Sequence, residues 1–273
     1  MIASILEQAL IALPLLIGAY MTLSLLKLPD FSLESAYLFG AVTAFTAQGL
    51  PLPLVLLCSL LGGMSVGILV SLLNRALNLP FLLAAIITNG LFHGLTQYVL
   101  GTSMISFHPV FSLSEPNLLM ILGLAALCAA ALLFRSQLGY SLAIYGNNPH
   151  FFSSHRLSGN YVLICGVMVG HGCAGLSGFL FARANGFVDL TMSFGTILLC
   201  LTALILGKMI IKTQKPTVFI PLIGIIGYFC IQQILLRLGL NLKYFNALQA
   251  LFVLTALAAS HRKRQNLIDH LGV

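Results

Sequence analysis

The chain has 273 residues, 59% of them hydrophobic and only 7% charged, with a formal net charge of +7, a pI near 9.3 and a mean hydropathy of +1.03. Soluble domains carry about 25% charged residues, so this composition excludes a water-soluble globule, a disordered chain, a disulfide scaffold and a nucleic-acid-binding module. It is the composition of an integral membrane protein, long enough for about nine segments of ~20 residues with no room for a separate soluble domain.

Met1–Leu26 lacks the basic start and small-residue cleavage pattern of a signal peptide, so it is expected to remain as the first span. Apolar runs lie near 4–26, 36–48, 51–73, 80–101, 117–134, 161–183, 193–211, 217–237 and 246–260. Turn-forming breaks separate them, among them Leu28-Pro29-Asp30, Gly49-Leu50-Pro51, Gly101-Thr102-Ser103 and Gly146-Asn147-Asn148-Pro149. The run 36–48 is too short to cross ~30 Å of hydrocarbon as a straight helix. It either recruits the residues around Ser32 or is a broken or re-entrant element, which gives nine spans or eight. The six cysteines (Cys58, Cys128, Cys165, Cys173, Cys200 and Cys230) all sit inside apolar runs without ligand spacing, so they read as reduced packing residues and no metal site is expected.

Basic residues set the orientation. With nine crossings and a cytoplasmic C-terminus, the inside receives Lys27, Arg75, Arg135, Arg156, Lys208, Lys212, Lys215, Arg262, Lys263 and Arg264, and the outside only Arg183, Arg237 and Lys243: ten against three. The tail His261-Arg262-Lys263-Arg264 reads as a stop signal at an anionic leaflet.

Pro29-Asp30-Phe31-Ser32-Leu33 is matched 159 residues later by Val188-Asp189-Leu190-Thr191-Met192, and Arg75-Ala76-Leu77 by Arg237-Leu238-Gly239. In the nine-span topology Asp30 is cytoplasmic and Asp189 external, so the halves are inverted, an arrangement suited to alternating access. The predicted fold is therefore an all-α integral membrane protein forming one domain. A first repeat (about 4–101) and a second (about 161–260) flank a linking span (117–134) and a cytoplasmic loop (135–160), with a basic tail at 261–273. Asp30 with Ser32 and Asp189 with Thr191 are expected to cap the helices that follow, a gating role being the minority reading.

Polar groups at depth are the candidate working residues. Asn89, His93 and Gln97 recur at i, i+4 and i+8 on one helix face, with Gly90 and Gly94 beside them. They line a solute pathway or tie helices together by hydrogen bonds. His171, between Gly170 and Gly172, is a packed, hydrogen-bonded histidine or a second pathway residue. Every Asp and Glu is expected at or beyond a span end, which argues against proton- or sodium-coupled transport.

A series of short motifs resembles the permease subunits of ABC importers of the branched-chain amino acid and ribose type. The matching residues are Leu28-Pro29-Asp30-Phe31-Ser32 with Gly40-Ala41, Asn78–Ala84, Leu138-Gly139-Tyr140 with Gly146-Asn147-Asn148-Pro149, Gly175-Leu176-Ser177-Gly178, and Asn185–Asp189 through Gly195-Thr196 and Gly207. They occur in the family's order over nearly the whole chain.

The resemblance implies a pump in a bacterial inner membrane. Two permease chains would form the path, an extracytoplasmic binding protein would deliver an amino acid or related solute, and separate ABC ATPase subunits would use the ATP. No cofactor is expected on this chain, which has no P-loop and no His-Glu-x-x-His or Gly-x-Ser-x-Gly motif. By the same resemblance the loop 135–160 holds the coupling helix, with Gly139, Tyr140, Gly146, Asn147, Asn148 and Pro149 docking on the ATPase. Bottom-up, Gly146-Asn147-Asn148-Pro149 can start a short helix. Where relatives often have Arg and then Gly-Asp-Asn-Pro, this chain has Ala143 and Asn147. It also has Lys208 where an acidic residue is common, which implies an altered docking surface. The competing reading is a self-contained secondary transporter or facilitator.

Overall fold

Prolines and glycines set the helix ends. Pro51 and Pro80, both extended, precede two long helices, and Gly101 (φ 66°) and Gly186 (φ 75°) close helices in the left-handed region that side chains disfavour. The computed structural model describes residues 2–108, 115–156, 158–213, 215–239 and 246–255. In chain order these form α1 (Ile2–Ala19), continued by a π-helical turn (Tyr20–Leu25), α2 (Leu33–Thr46), α3 (Leu52–Ala76), α4 (Phe81–Leu100) and β1 (Met104–Ser106). Then come α5 (Glu115–Arg135), α6 (Gln137–Asn147), α7 (His150–Ser154), α8 (Gly159–Asn185) and β2 (Phe187–Asp189). The last elements are α9 (Thr196–Ile210), α10 (Phe219–Arg237) and α11 (Asn246–Thr255). The predicted basic tail 261–273 and Lys243 lie outside the described residues.

Helices dominate, and among the described residues four are long and apolar enough to cross a membrane: Ala3–Leu25, Leu52–Ala76, Gly159–Asn185 and Phe219–Arg237. Leu119–Arg135 and Gln137–Asn147 form a pair bent by 66°. At 20 residues α4 is also long enough, but Asn89, His93 and Gln97 dilute its hydropathy. The 14 residues of α2 and 15 of α9 reach only about 21–22 Å at the α-helical rise.

The long helix α8 lies at the centre, packed against α1, α2, α3 and α6. Its small residues make this possible. A Cβ on Gly178 would lie 1.9 Å from the Tyr37 carbonyl oxygen, and one on Gly18 would lie 2.2 Å from that of Gly170. Such contacts bring helix axes close enough for dispersion and backbone dipoles to replace the hydrophobic effect, which lipid does not supply between helices. Gly178→Ala should therefore lower stability by about 1–3 kcal/mol, read as a fall in the thermal unfolding midpoint in detergent. An unchanged midpoint would show that α2 moves aside freely.

Packing crosses the chain's halves: α8 packs on α1, α2 and α3, and α1 also packs on α9 and α10. At one end, β1 and β2 pair antiparallel with Met104 opposite Asp189, covering a cluster that includes Leu38, Val42, Phe107, Phe179 and Val188.

Gly146-Asn147 ends α6, Asn148 turns extended (φ −149°, ψ 85°) ahead of Pro149, as residues before proline do, and Asn148-Pro149 then open the short helix α7 that the block can start. One expectation is corrected here. Asp30 is not at a span end: it is buried against His171, near the middle of α8.

Candidate functional site

One end of the bundle carries the turn predicted for coupling. Gly139 makes the sharp bend after α5 possible, since a Cβ there would lie 2.6 Å from the Leu133 carbonyl oxygen. Helix α6 then buries Gly139, Leu142 and Ala143 and exposes Tyr140, Ile144 and Asn147. Gly146 sits directly against the π-helical turn, where a Cβ would lie 1.9 Å from the Leu25 carbonyl oxygen. One residue on, Lys27 Nζ donates to Asn147 Oδ1 at 2.5 Å, and Asn147 Nδ2 donates to the Ala143 carbonyl at 2.9 Å. Arg75 donates to the Tyr145 hydroxyl. Asn148 and Pro149 are exposed beside a hollow of about 310 Å³ that Tyr140, Asn147, Asn148, Phe151 and Lys215 help to line. Ala143 is small and nearly buried but lines the same hollow, and it brings no charge to it. Lys208 is exposed.

From Lys27, which adopts a left-handed backbone (φ 56°), the chain doubles back to the middle of α8. His171 lies 12 residues from Gly159 and 14 from Asn185, about 18 and 21 Å along the axis. Asp30, Ser32 and His171 are all fully buried there. Asp30 Oδ1 accepts from the Ser32 amide (3.1 Å) and the Ser32 hydroxyl (2.7 Å), and Ser32 Oγ lies 2.8 Å from His171 Nε2. His171 Nδ1 lies 2.8 Å from the Val167 carbonyl oxygen, and Nε2 lies 3.6 Å from Asp30 Oδ2. The Val167 carbonyl only accepts, so His171 Nδ1 carries a proton, and the single Ser32 hydroxyl proton is shared between Asp30 Oδ1 and His171 Nε2 as alternative acceptors. Asp30 thus holds the turn that leads into α2 and also faces His171, a partner that the sequence did not reveal.

Other polar contacts surround the pair. Glu34 Oε1 accepts from the Ile197 amide at the start of α9 (3.4 Å), so the first turn of α2 meets the first turn of α9. Ser35 donates to Asn89 Oδ1. Of the α4 stripe, Asn89 is half-buried through this contact, whereas His93 and Gln97 are exposed on the single chain. Gly90 and Gly94 beside them have nothing within 4 Å of where a Cβ would stand. The stripe therefore faces outward from the bundle, while His171 faces inward, so the residues expected to share a pathway are not together within this chain.

The second box repeats the local geometry of the first: Asp189 Oδ1 accepts from the Thr191 amide (2.6 Å) and hydroxyl (2.7 Å). Its environment differs, since Asp189 and Thr191 are at the surface beside the β1–β2 pair. Sequence reasoning missed Lys27 and Ser35 and gave Glu34 only a local role. Their adjacency to the Asp30 box was the available signal, but the partners are 54 to 163 residues distant.

The family described as branched-chain amino acid transport system, permease component, matches residues 1–257. Over 218 residues the chain is 28% identical to a tyrosine transport system permease protein of Clostridioides difficile, covering 77% of this chain and 74% of that one. An uncharacterized protein of Rickettsia prowazekii is 28% identical over 256 residues, covering 86% and 89%. No solved structure matches the chain significantly. The match over nearly the whole length, on a bundle of apolar helices, settles the family: the chain belongs to the branched-chain amino acid transport system permease family.

Proposed function

We propose that this chain is the membrane-spanning subunit of an ATP-driven importer for a small polar solute, an amino acid or related compound, received from an extracytoplasmic binding protein. The observation that carries this reading is the seating of α6 on the π-helical turn through Gly146 and the Lys27–Asn147 bond. A rigid element docked on a partner ATPase can there push on the segment leading to Asp30, Ser32 and His171. π-helical turns interrupt a regular helix and are frequent at functional sites. The relative named as a tyrosine permease favours an amino acid as cargo.

The proposed topology has α6 on the cytoplasmic side, nine crossings or eight with 28–48 re-entrant, and inverted halves. Lys27, Arg75 and Lys215 gather around α6, as an inside end requires. Two contacts between α1 and α8 support the repeat. Gly18 meets Gly170, and Ser177 Oγ donates to the Ile11 carbonyl at 2.6 Å. The 159-residue offset that relates Asp30 to Asp189 carries Gly18 to position 177 and Ile11 to position 170, so it turns each contact into the other.

A second copy of this chain covers the outward stripe in this proposal: Gly90 and Gly94 are four apart and unpacked, the spacing that lets membrane helices approach closely. Asn89, His93 and Gln97 then line the space between subunits. His93→Leu or Gln97→Leu should lower uptake at least fivefold at unchanged abundance, and Gly94→Cys should give an oxidant-dependent dimer on non-reducing gels. Equal losses of uptake and abundance would make the stripe a structural tie, and monomeric Gly94→Cys would argue against the pairing. The observation favouring a self-contained transporter is the buried Asp30–His171 pair, an ionisable group at mid-depth of the kind proton relays use. ATP-independent uptake by the chain alone in proteoliposomes would select that reading.

A further inference from the structure

A cavity of about 480 Å³ opens at the end of the bundle where β2 follows α8, between α1, α8, α10 and the first turns of α9 and α11. The α4 stripe does not line it, nor do His171 and α6. Its polar lining has one character. Gln8 from α1, Gln232 from α10 and Gln249 from α11 each present a buried Oε1 that accepts no hydrogen bond. Gln249 is more than nine-tenths buried, and its Nε2 is committed to the Tyr228 hydroxyl. Buried carbonyl oxygens are ordinarily paired, so three unpaired ones around one hollow form an acceptor set awaiting donors.

Charge and shape narrow the ligand. Glu7 is the one charged side chain among the described residues lining the cavity. Tyr37, Phe181, Phe194, Tyr228 and Phe229 supply aromatic walls. A primary ammonium carries three donors and no acceptor, it complements Glu7, and it is attracted to aromatic faces. The volume falls within the roughly 300–1,000 Å³ usual for small-molecule sites.

We propose that this cavity is a binding site, within a single permease subunit, for a solute with a primary ammonium group on an aromatic or apolar body. Glu7, Gln8, Gln232 and Gln249 hold the ammonium and the aromatic side chains hold the body. The proposal deepens the proposed function by giving the subunit its own selectivity, and it rests on that reading only in taking the cavity's occupant to be a carried solute.

The test uses the purified full chain in detergent and two probes of similar size, phenylethylammonium and 3-phenylpropionate, with binding followed by ligand-observed NMR. The expected result is saturable binding of phenylethylammonium, with 3-phenylpropionate at least tenfold weaker. Glu7→Gln, an exposed substitution that leaves packing intact, should weaken the ammonium probe at least fivefold, as should Gln232→Leu. No saturable binding, equal binding of both probes, or unchanged affinity in Glu7→Gln and Gln232→Leu would overturn the proposal. Recovery of an ATPase with the same chain is scored separately. An ATPase without ammonium binding removes the site and keeps the importer, and ammonium binding without an ATPase does the reverse.

Discussion

Gly146→Val should reduce ATP-dependent uptake at least tenfold in proteoliposomes while ATP hydrolysis by the assembled complex persists. The cause is steric and local. A Cβ at this position would lie 1.9 Å from the Leu25 carbonyl oxygen and 2.9 Å from the Leu25 and Leu26 carbonyl carbons, all backbone atoms that no rotamer change can move. Overpacking of this kind costs about 1–3 kcal/mol, and here it falls on the contact between α6 and the π-helical turn. Either α6 lifts away or the turn shifts, and in both cases a push on α6 no longer reaches Asp30 in register. Asn147→Asp is a milder comparison: it keeps an acceptor for Lys27 but loses the Nδ2 donation to the Ala143 carbonyl, so uptake should fall less than in Gly146→Val. An unchanged ratio of uptake to hydrolysis in Gly146→Val would remove α6 from the coupling path.

The second large effect belongs to the buried pair. His171→Leu leaves the buried oxygens of Ser32 and Asp30 facing an apolar side chain in the centre of the bundle, and a buried polar group left unpaired costs about 1–3 kcal/mol. Asp30→Asn alone should also destabilise, because it puts an amide where two carboxylate oxygens face Ser32 and His171. The double substitution should cost less than the sum of the singles, with an interaction of about 1–3 kcal/mol from a thermodynamic cycle on thermal or denaturant unfolding in detergent. If Asp30 served only to cap α2, the two changes would add and His171→Leu would behave as an ordinary core substitution. A matching cycle on uptake separates stability from gating: variants folded at the assay temperature that still lose transport place the pair in the moving part.

Much of this was legible in the residues. Composition gave the membrane class, and the short run 36–48 gave the shortness of α2. The Asp30 and Asp189 boxes were visible, and both use Asp Oδ1 to hold the amide and hydroxyl two residues on. Depth was not legible. Asp30 stands in a turn between apolar runs, which reads as a boundary. Only the left-handed Lys27 and the doubling back of 27–32 bring it to His171, 141 residues away in sequence. The acceptor cavity was hidden for a related reason. Gln8, Gln232 and Gln249 lie on three helices far apart in the chain, and the identical amides of Gln97 and Gln249 end up outside and inside one subunit. The direction of the α4 stripe was undecided because helical periodicity fixes a face and not its neighbour.

The central claim is that the chain works as one subunit of an ATP-driven importer. The direct measurement is affinity purification of the tagged chain from its native membrane in mild detergent, with mass spectrometry of what comes with it. The predicted result is an ABC ATPase subunit at a defined ratio to the permease, still held by Gly146→Val but without driving uptake. Recovery of the chain alone from several detergents, together with ATP-independent uptake by that material in proteoliposomes, would contradict it.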